Sequence, residues 1–140
     1  WAEGMTYGHG TGHGVGHFMG CHEGPQNIRT DNNTNPLQLG NICSDEPGIY
    51  RTNEYGIRIE NLIAVRQVED LPAHATGETF YEFETLTICY YDTRLIDMSR
   101  MTAQEIAWIN AYHQWVYAET AALVSPQEAE WLKAKCKEIG

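Results

Sequence analysis

The sequence lacks the features that would place it in several large classes of protein. No apolar run approaches the ~20 residues that a membrane-spanning helix needs, so we expect no membrane partner. No signal-peptide pattern is visible, and none of the four cysteines forms a CxxC pair. Cysteines this far apart favour free thiols in a reducing compartment over a disulfide framework, so we expect a cytoplasmic protein.

Positive charge is also scarce. Nine Lys and Arg stand against 19 Asp and Glu, which gives a formal net charge of −10 at pH 7. Sequence-independent binding to nucleic acid requires a positive surface, so we expect no nucleic-acid partner. The chain has no repeat of solenoid length, and its 140 residues fit one domain.

Glycine and histidine are abundant in a segment near the start of the chain. Four of the six histidines lie within residues 9–22, and glycines alternate with other residues from Gly8 to Gly16. Each interior glycine costs a helix about 1 kcal/mol relative to Ala, so we expect an extended or looping backbone that another group can approach closely. Imidazoles on such a backbone suit a metal or a substrate carbonyl. A flexible segment that binds metal adventitiously is the alternative for this segment taken alone.

The rest of the chain predicts strands followed by helices, an α+β pattern rather than an alternating βαβ pattern. Strands are expected over 42–46, 55–67 and 80–91, and Pro47-Gly48 ends or bends the first. Alternation within 55–67 predicts two faces. One face carries Ile57, Ile59, Asn61, Ile63 and Val65, and the other carries Arg58, Glu60 and Leu62.

Two capping boxes predict the helices. Thr102 and Glu105 have the capping-box spacing, and the helix that they begin is expected to run to about Val124. The second helix begins at Ser125-Pro126-Gln127-Glu128 and is expected to end near Gly140. The residues expected to pack inward are Ile109, Tyr112 and Val116 in the first helix, and Trp131 and Leu132 in the second.

Two carboxylates, Glu46 and Glu60, lie on or beside predicted strands. Glu60 could pair with Arg58 or face water, and Glu46 could be a turn residue. Together with a histidine of the Gly/His segment, the two carboxylates make a ligand set of nitrogen and oxygen that suits Mn²⁺, Zn²⁺ or Co²⁺.

Four motifs together resemble the second half of the catalytic domain of the Xaa-Pro aminopeptidases (aminopeptidase P). The intervals also agree, with nine residues from His13 to His22 and fourteen from Glu46 to Glu60. The tail of the chain resembles the closing segment of that family. The motifs are His9-Gly10-Thr11-Gly12-His13-Gly14-Val15-Gly16, His22-Glu23-Gly24-Pro25, Ser44-Asp45-Glu46-Pro47-Gly48-Ile49-Tyr50 and Tyr55-Gly56-Ile57-Arg58-Ile59-Glu60-Asn61.

The resemblance implies a pita-bread (creatinase/aminopeptidase-like) fold and a dinuclear metal centre, usually of manganese and sometimes of zinc or cobalt. In the implied centre, His13 is a ligand to one metal ion. Glu46 binds that ion and shuttles a proton as the catalytic base, and Glu60 bridges both ions. Two close metal ions lower the pKa of a shared water and stabilise the developing oxyanion.

The resemblance also assigns residues around the metals. His9 and His22 are expected to hold the substrate, a peptide with proline at its second position, and to stabilise the tetrahedral intermediate. Arg58 resembles the arginine that orients the carboxylates, and Tyr50 matches a family tyrosine near the site. Neutral imidazoles can hydrogen-bond a substrate carbonyl without repelling the metals.

The chain departs from the family in its ligand count. The family uses five metal ligands, and two are aspartates that precede the Gly/His segment and are not in this chain. We therefore expect residues 1–140 to be the C-terminal part of a single catalytic domain, which binds metal weakly and is inactive without the upstream half. A homodimer is expected by analogy with the family.

Two other functions remain open at this point. One is a prolidase-type dipeptidase that cleaves Xaa-Pro dipeptides. The other is a pita-bread module that binds peptide or protein without catalysis. Because such modules typically lose their ligands, the presence of His13, Glu46 and Glu60 favours an enzyme that releases an N-terminal residue preceding proline.

Overall fold

The computed structural model describes residues 1, 4–18, 20–31, 33–69 and 77–140. The chain divides into two compact units, Trp1–Thr87 and Ile88–Gly140. The strands of the first unit are β1 (Gly12–His13), β2 (Asn27–Ile28), β3 (Ile42–Asp45), β4 (Gly48–Arg51), β5 (Tyr55–Arg58), β6 (Asn61–Gln67) and β7 (Tyr81–Thr85). The α-helices of the second unit are α1 (Ala103–Thr120) and α2 (Pro126–Lys135).

The strands of the first unit are antiparallel. β3, β6 and β7 form a sheet in which β6 is central, and β1 pairs with β2 while β4 pairs with β5. Buried side chains of the three-stranded sheet include Cys43, Ile63 and Val65. Burial also raises the pKa of the Cys43 thiol, because the thiolate would lose its hydration.

The predicted strand over 55–67 is two strands, so this prediction was wrong in detail. The register that pairs Asp45 with Asn61 is the same register that pairs Gly48 with Arg58. The ladder is therefore one long hairpin interrupted at 46–47 and 59–60. Pro47 explains the break, because proline has no N–H to give to the ladder.

The interruption also changes which apolar side chains are buried. Ile63 and Val65 are buried as predicted, whereas Ile57 is 46% exposed and Ile59 is 51% exposed. The difference follows from position, since β6 is the central strand of its sheet and β5 belongs to a two-stranded hairpin.

The Gly/His segment is extended or looping rather than helical, as predicted, with a short strand at Gly12–His13. It runs antiparallel beside β3, where Gly14 pairs with Cys43 and the Glu46 N–H donates to the Thr11 carbonyl at 2.6 Å. A Cβ placed on Gly12 would lie 1.9 Å from the Ser44 carbonyl oxygen, so only glycine allows this approach.

Both predicted capping boxes are confirmed in the second unit. Thr102 and Ser125 each accept a hydrogen bond from the backbone N–H of the glutamate three residues on, and each glutamate bonds back. A core forms where Tyr112 and Val116 of α1 meet Leu132 and Cys136. Among the residues that the structure describes, no helix is long and apolar enough to span a membrane.

The ends of three elements, β7 of the first unit and α1 and α2 of the second, differ from the prediction. The last predicted turn of α1 is a 3₁₀ turn, Ala121–Leu123, and α2 ends at Lys135 rather than near Gly140. β7 ends at Thr85, and the Thr87 hydroxyl then accepts the Leu62 N–H at 2.7 Å in place of a backbone carbonyl.

One side chain of α2 was placed wrongly by the prediction. Leu132 is buried as expected, but Trp131 is 53% exposed. Its ring meets the edge of Tyr90, and the Lys135 ammonium lies 5.6 Å from its centroid. The indole therefore covers the flank of the unit instead of entering its core.

Candidate metal centre

The two carboxylates face each other across the interrupted ladder. Continuing the common register of β3–β6 and β4–β5 through the interruption places Glu46 opposite Glu60. Like charges directly opposite on antiparallel strands are destabilising. The break in backbone pairing thus coincides with the point where two acids converge, which is an arrangement that a cation between them would stabilise.

His13 completes the cluster. One ligand atom from each of His13, Glu46 and Glu60 can be chosen so that all three lie within 4.8 Å of one another. The Nδ1 atom of His13 lies 2.9 Å from the Gly14 carbonyl oxygen, which can only accept, so Nδ1 carries the proton. In the neutral ring Nε2 then presents its lone pair, and it lies 3.2 Å from Oε1 of Glu46.

This donor set fits a divalent cation on chemical grounds. A neutral Nε2 and a carboxylate oxygen at 3.2 Å are two acceptors facing each other, which requires a proton or a metal ion to join them. A hydrogen bond from Nδ1–H to a backbone carbonyl is also the usual way of orienting a ligating imidazole. Imidazole plus carboxylate is a set that suits manganese, zinc or cobalt.

Ser44 connects the candidate nitrogen ligand, His13, to the candidate oxygen ligand, Glu46. Its side chain is fully buried, and its hydroxyl donates to Oε1 of Glu46 at 2.9 Å while accepting the backbone N–H of His13 at 3.0 Å. Sequence reasoning did not single out Ser44. The only signal was its position two residues before Glu46, which places both side chains on one face of an extended strand.

Arg58 contacts Glu46 rather than Glu60. Its Nε lies 3.6 Å from Oε2 of Glu46, and the Glu46 side chain is only 12% exposed. The alternative that Glu60 pairs with Arg58 is therefore replaced by a pairing across the hairpin. The guanidinium and Ser44 hold opposite oxygens of the same carboxylate, which restricts its rotation.

His9 lies beside Tyr50 and Arg58. Its Nδ1 donates to the Gly10 carbonyl at 2.7 Å, so Nε2 is an acceptor in the neutral ring. The Tyr50 hydroxyl donates to Nε2 at 2.8 Å, and Nη2 of Arg58 lies 3.4 Å from the same atom. The structure thus brings Tyr50 to this site through His9.

One cavity of about 550 Å³ connects the predicted residues. The ring of His22 lies against that of His13, with 4.1 Å between centroids. Of the predicted site residues, His9, His13, His22, Glu46 and Arg58 line this cavity. Tyr50 and Glu60 reach the same place through their contacts with His9 and with the ligand cluster.

Comparisons of the chain with family profiles and with individual proteins indicate the same family. Residues 1–67 match the profile described as metallopeptidase family M24, and residues 79–139 match the C-terminal region of peptidase M24. The chain is 43% identical over 143 residues to a probable Xaa-Pro aminopeptidase P of Coprinopsis cinerea, covering 99% of this chain and 23% of the relative. It is 42% identical over 134 residues to aminopeptidase P2 of Arabidopsis thaliana, covering 94% of this chain and 19% of that protein.

A solved structure supports the same assignment. The chain is similar to the crystal structure of X-prolyl aminopeptidase from Caenorhabditis elegans, described as a cytosolic enzyme with a di-nuclear active site. The TM-score is 0.87 at 33% sequence identity, over 99% of this chain and 23% of that chain. The expected pita-bread fold, with antiparallel strands followed by two C-terminal helices, is confirmed by this likeness. The chain spans about a fifth to a quarter of the length of these relatives, and it belongs to metallopeptidase family M24.

Proposed function

We propose that this chain is the C-terminal part of the catalytic domain of a metal-dependent aminopeptidase that releases an N-terminal residue preceding proline. The observation that carries the proposal is the convergence of His13, Glu46 and Glu60, whose ligand atoms lie within 4.8 Å of one another. The names of the relatives supply the substrate class, peptides with proline at the second position.

His13, Glu46 and Glu60 would hold the metal, and Glu60 would be shared between two ions, as in a centre with a di-nuclear active site. Two close divalent ions supply an activated water and stabilise charge that develops on the substrate carbonyl. Manganese is the proposed metal, with zinc or cobalt as alternatives. Three donors do not complete such a pair, so we propose that two aspartates come from the upstream half of the same catalytic domain.

Glu46 is the group that would move the proton. Its carboxylate is clamped by Ser44 at one oxygen and by Arg58 at the other, so it keeps one orientation toward the cavity. A carboxylate held beside the attacking water can take its proton and deliver it to the leaving proline nitrogen. Arg58 thereby acts as a positioning residue for Glu46.

The two histidines at the cavity would bind the substrate. His22 lies beside His13 on the cavity wall, where its ring can hydrogen-bond a substrate carbonyl. The Nε2 atom of His9 accepts from Tyr50, so a substrate N–H would take the place of the Tyr50 hydroxyl, whereas a substrate carbonyl would require a second proton on His9. The bond from Nδ1 to the Gly10 carbonyl therefore sets which substrate group His9 can bind, and the Tyr50 hydroxyl occupies that position in its absence.

The remaining parts of the proposal concern the whole protein. We propose a cytoplasmic enzyme, because the Caenorhabditis elegans enzyme is described as cytosolic, and a homodimer by analogy with the family. A prolidase-type dipeptidase differs in substrate length alone. Cleavage of longer Xaa-Pro peptides supports the aminopeptidase, and cleavage restricted to Xaa-Pro dipeptides would replace it with the dipeptidase.

The test is the substitution Glu60→Gln in the complete enzyme. Glutamine keeps the shape but cannot supply a bridging carboxylate, so we expect loss of bound manganese and loss of cleavage of an Ala-Pro peptide. Glu54→Gln is the matched control, because Glu54 is an exposed acid that pairs with Arg51 in the hairpin turn. Unchanged metal content and cleavage in the Glu60→Gln enzyme would reject the bridging role.

A further inference from the structure

Arg29 lines the same cavity as His13 and Glu46, although sequence reasoning gave it no role. It follows β2, which pairs with β1 and so places Arg29 beside the Gly/His segment. A Cβ placed on Gly10 would lie 3.8 Å from Cβ of Arg29. Its side chain is 52% exposed, so its guanidinium stands where the cavity meets solvent.

The guanidinium of Arg29 has free donors. Its Nε lies 2.7 Å from Oδ1 of Asp31, whose side chain is 57% exposed. Within the described part of the chain, no acceptor is hydrogen-bonded to Nη1 or Nη2 of Arg29. Exposed ion pairs of this kind are weak, and the planar fork of two Nη groups matches the geometry of a carboxylate.

The other charged groups of the cavity are already engaged. Arg58 contacts Glu46 and His9. Glu23 turns toward the glycines of its own loop, since a Cβ placed on Gly16 would lie 2.3 Å from Oε2 of Glu23. Arg29 is therefore a cation at the mouth of the cavity with donors directed to a ligand or to water.

We propose that Arg29 binds an acidic group in the part of the substrate that follows proline, and so makes the enzyme prefer peptides that are acidic there. The inference rests on the proposed function. An aminopeptidase encloses one residue on the N-terminal side of the cleaved bond, and the remainder of the peptide must leave toward solvent. Arg29 lines the cavity and is half exposed, so its guanidinium can reach a peptide segment that extends from the cavity into solvent.

The test compares two amidated peptides, Ala-Pro-Glu-Ala and Ala-Pro-Gln-Ala, in the complete enzyme. We expect kcat/KM to be about threefold to fivefold higher for the glutamate peptide, as an exposed charge pair allows. The difference should lie in KM, because the contact is equal in the ground state and the transition state. It should vanish in Arg29→Gln and shrink at 0.5 M salt, roughly the concentration at which exposed charges are screened.

Two controls separate this contact from general effects of charge. Arg51→Gln removes an arginine of similar exposure that pairs with Glu54 outside the cavity, and it should leave the preference intact. Asp31→Asn frees Nε of Arg29 and should increase the preference. Equal cleavage of both peptides by the unchanged enzyme, or a preference that survives Arg29→Gln, would overturn the inference. Failure to cleave either peptide would instead reject the proposed function.

Discussion

At the scale of single residues, the candidate centre depends on a hydroxyl as much as on its ligands. Ser44 is fully buried and bonds both the backbone of His13 and the carboxylate of Glu46. His13 lies 31 residues before Ser44 in the chain, and Glu46 lies 2 residues after it. The Ser44 side chain therefore helps to fix the distance between His13 and Glu46, the candidate nitrogen and oxygen ligands of the metal.

Replacing Ser44 with Ala should damage both stability and metal binding. The His13 N–H would lose its acceptor, which costs about 1–3 kcal/mol in the free energy of unfolding. Loss of a partner that orients a ligand weakens metal affinity by about 10- to 100-fold. Denaturant unfolding and manganese titration of the complete enzyme measure the two effects, with Thr52→Ala in the exposed hairpin turn as control. Metal affinity equal to that of the control would contradict the positioning role of Ser44.

At the scale of elements, the hairpin from β3 to β6 and the helix α1 show two ways of placing polar side chains. The hairpin gives up backbone pairing at 46–47 and 59–60, and the acids at this break become free to converge. Helix α1 instead buries His113, whose Nε2 accepts the Tyr91 N–H at 3.0 Å. His113 therefore has a structural role in the second unit.

His113 should make the stability of the second unit depend on pH. Burial lowers the pKa of His113 below its ordinary value of 6.5, because the charged ring would lose its hydration among the rings of Tyr91 and Tyr112. The contribution of the neutral ring to the free energy of unfolding is complete above about pH 6.5. It is lost as the pH falls through the lower pKa that His113 has in the folded state. Protonation would also set an Nε2–H against the Tyr91 N–H.

Thermal unfolding at pH 7.5 and pH 5.5 tests this dependence. We expect a lower Tm at pH 5.5, and a smaller difference in His113→Gln, whose amide oxygen can accept the Tyr91 N–H without titrating. The exposed His17 serves as the control in His17→Gln, which should keep the full difference. A difference as large in His113→Gln as in the unchanged protein would assign the pH dependence to another group.

At the scale of the whole molecule, the chain presents part of a centre. The candidate cluster brings together one imidazole and two carboxylates, and the chain spans 19–23% of the relatives' lengths. Two of the three ligand residues, His13 and Glu46, are held by the fold of the first unit through Ser44, Arg58 and the Gly14 carbonyl. A prearranged but incomplete set should bind metal without performing catalysis.

The isolated 140-residue chain should therefore bind manganese more weakly than the complete enzyme and cleave no Ala-Pro peptide. The physical reason is that each missing carboxylate removes both a coordinate bond and a neutralising charge. Calorimetric titration with manganese and a peptide-release assay on both proteins measure this. Circular dichroism of the isolated chain is needed as a control for folding. Cleavage by the isolated chain at a rate near that of the complete enzyme would contradict the need for further ligands.

The sequence alone determined the features that depend on local chemistry. Both helix starts follow from capping boxes at Thr102 and Ser125, and the glycines of the Gly/His segment exclude a helix. The motifs with their intervals predicted the family, because residue type and spacing within one chain carry that information directly.

The tertiary structure decided what depends on pairing between distant strands. The opposition of Glu46 and Glu60, the break that splits 55–67 and the burial of Ser44 follow from the register of the hairpin. The position of Arg29 at the cavity follows from the pairing of β2 with β1. Register is set by long-range contacts, and a shift of one residue would turn each side chain to the other face.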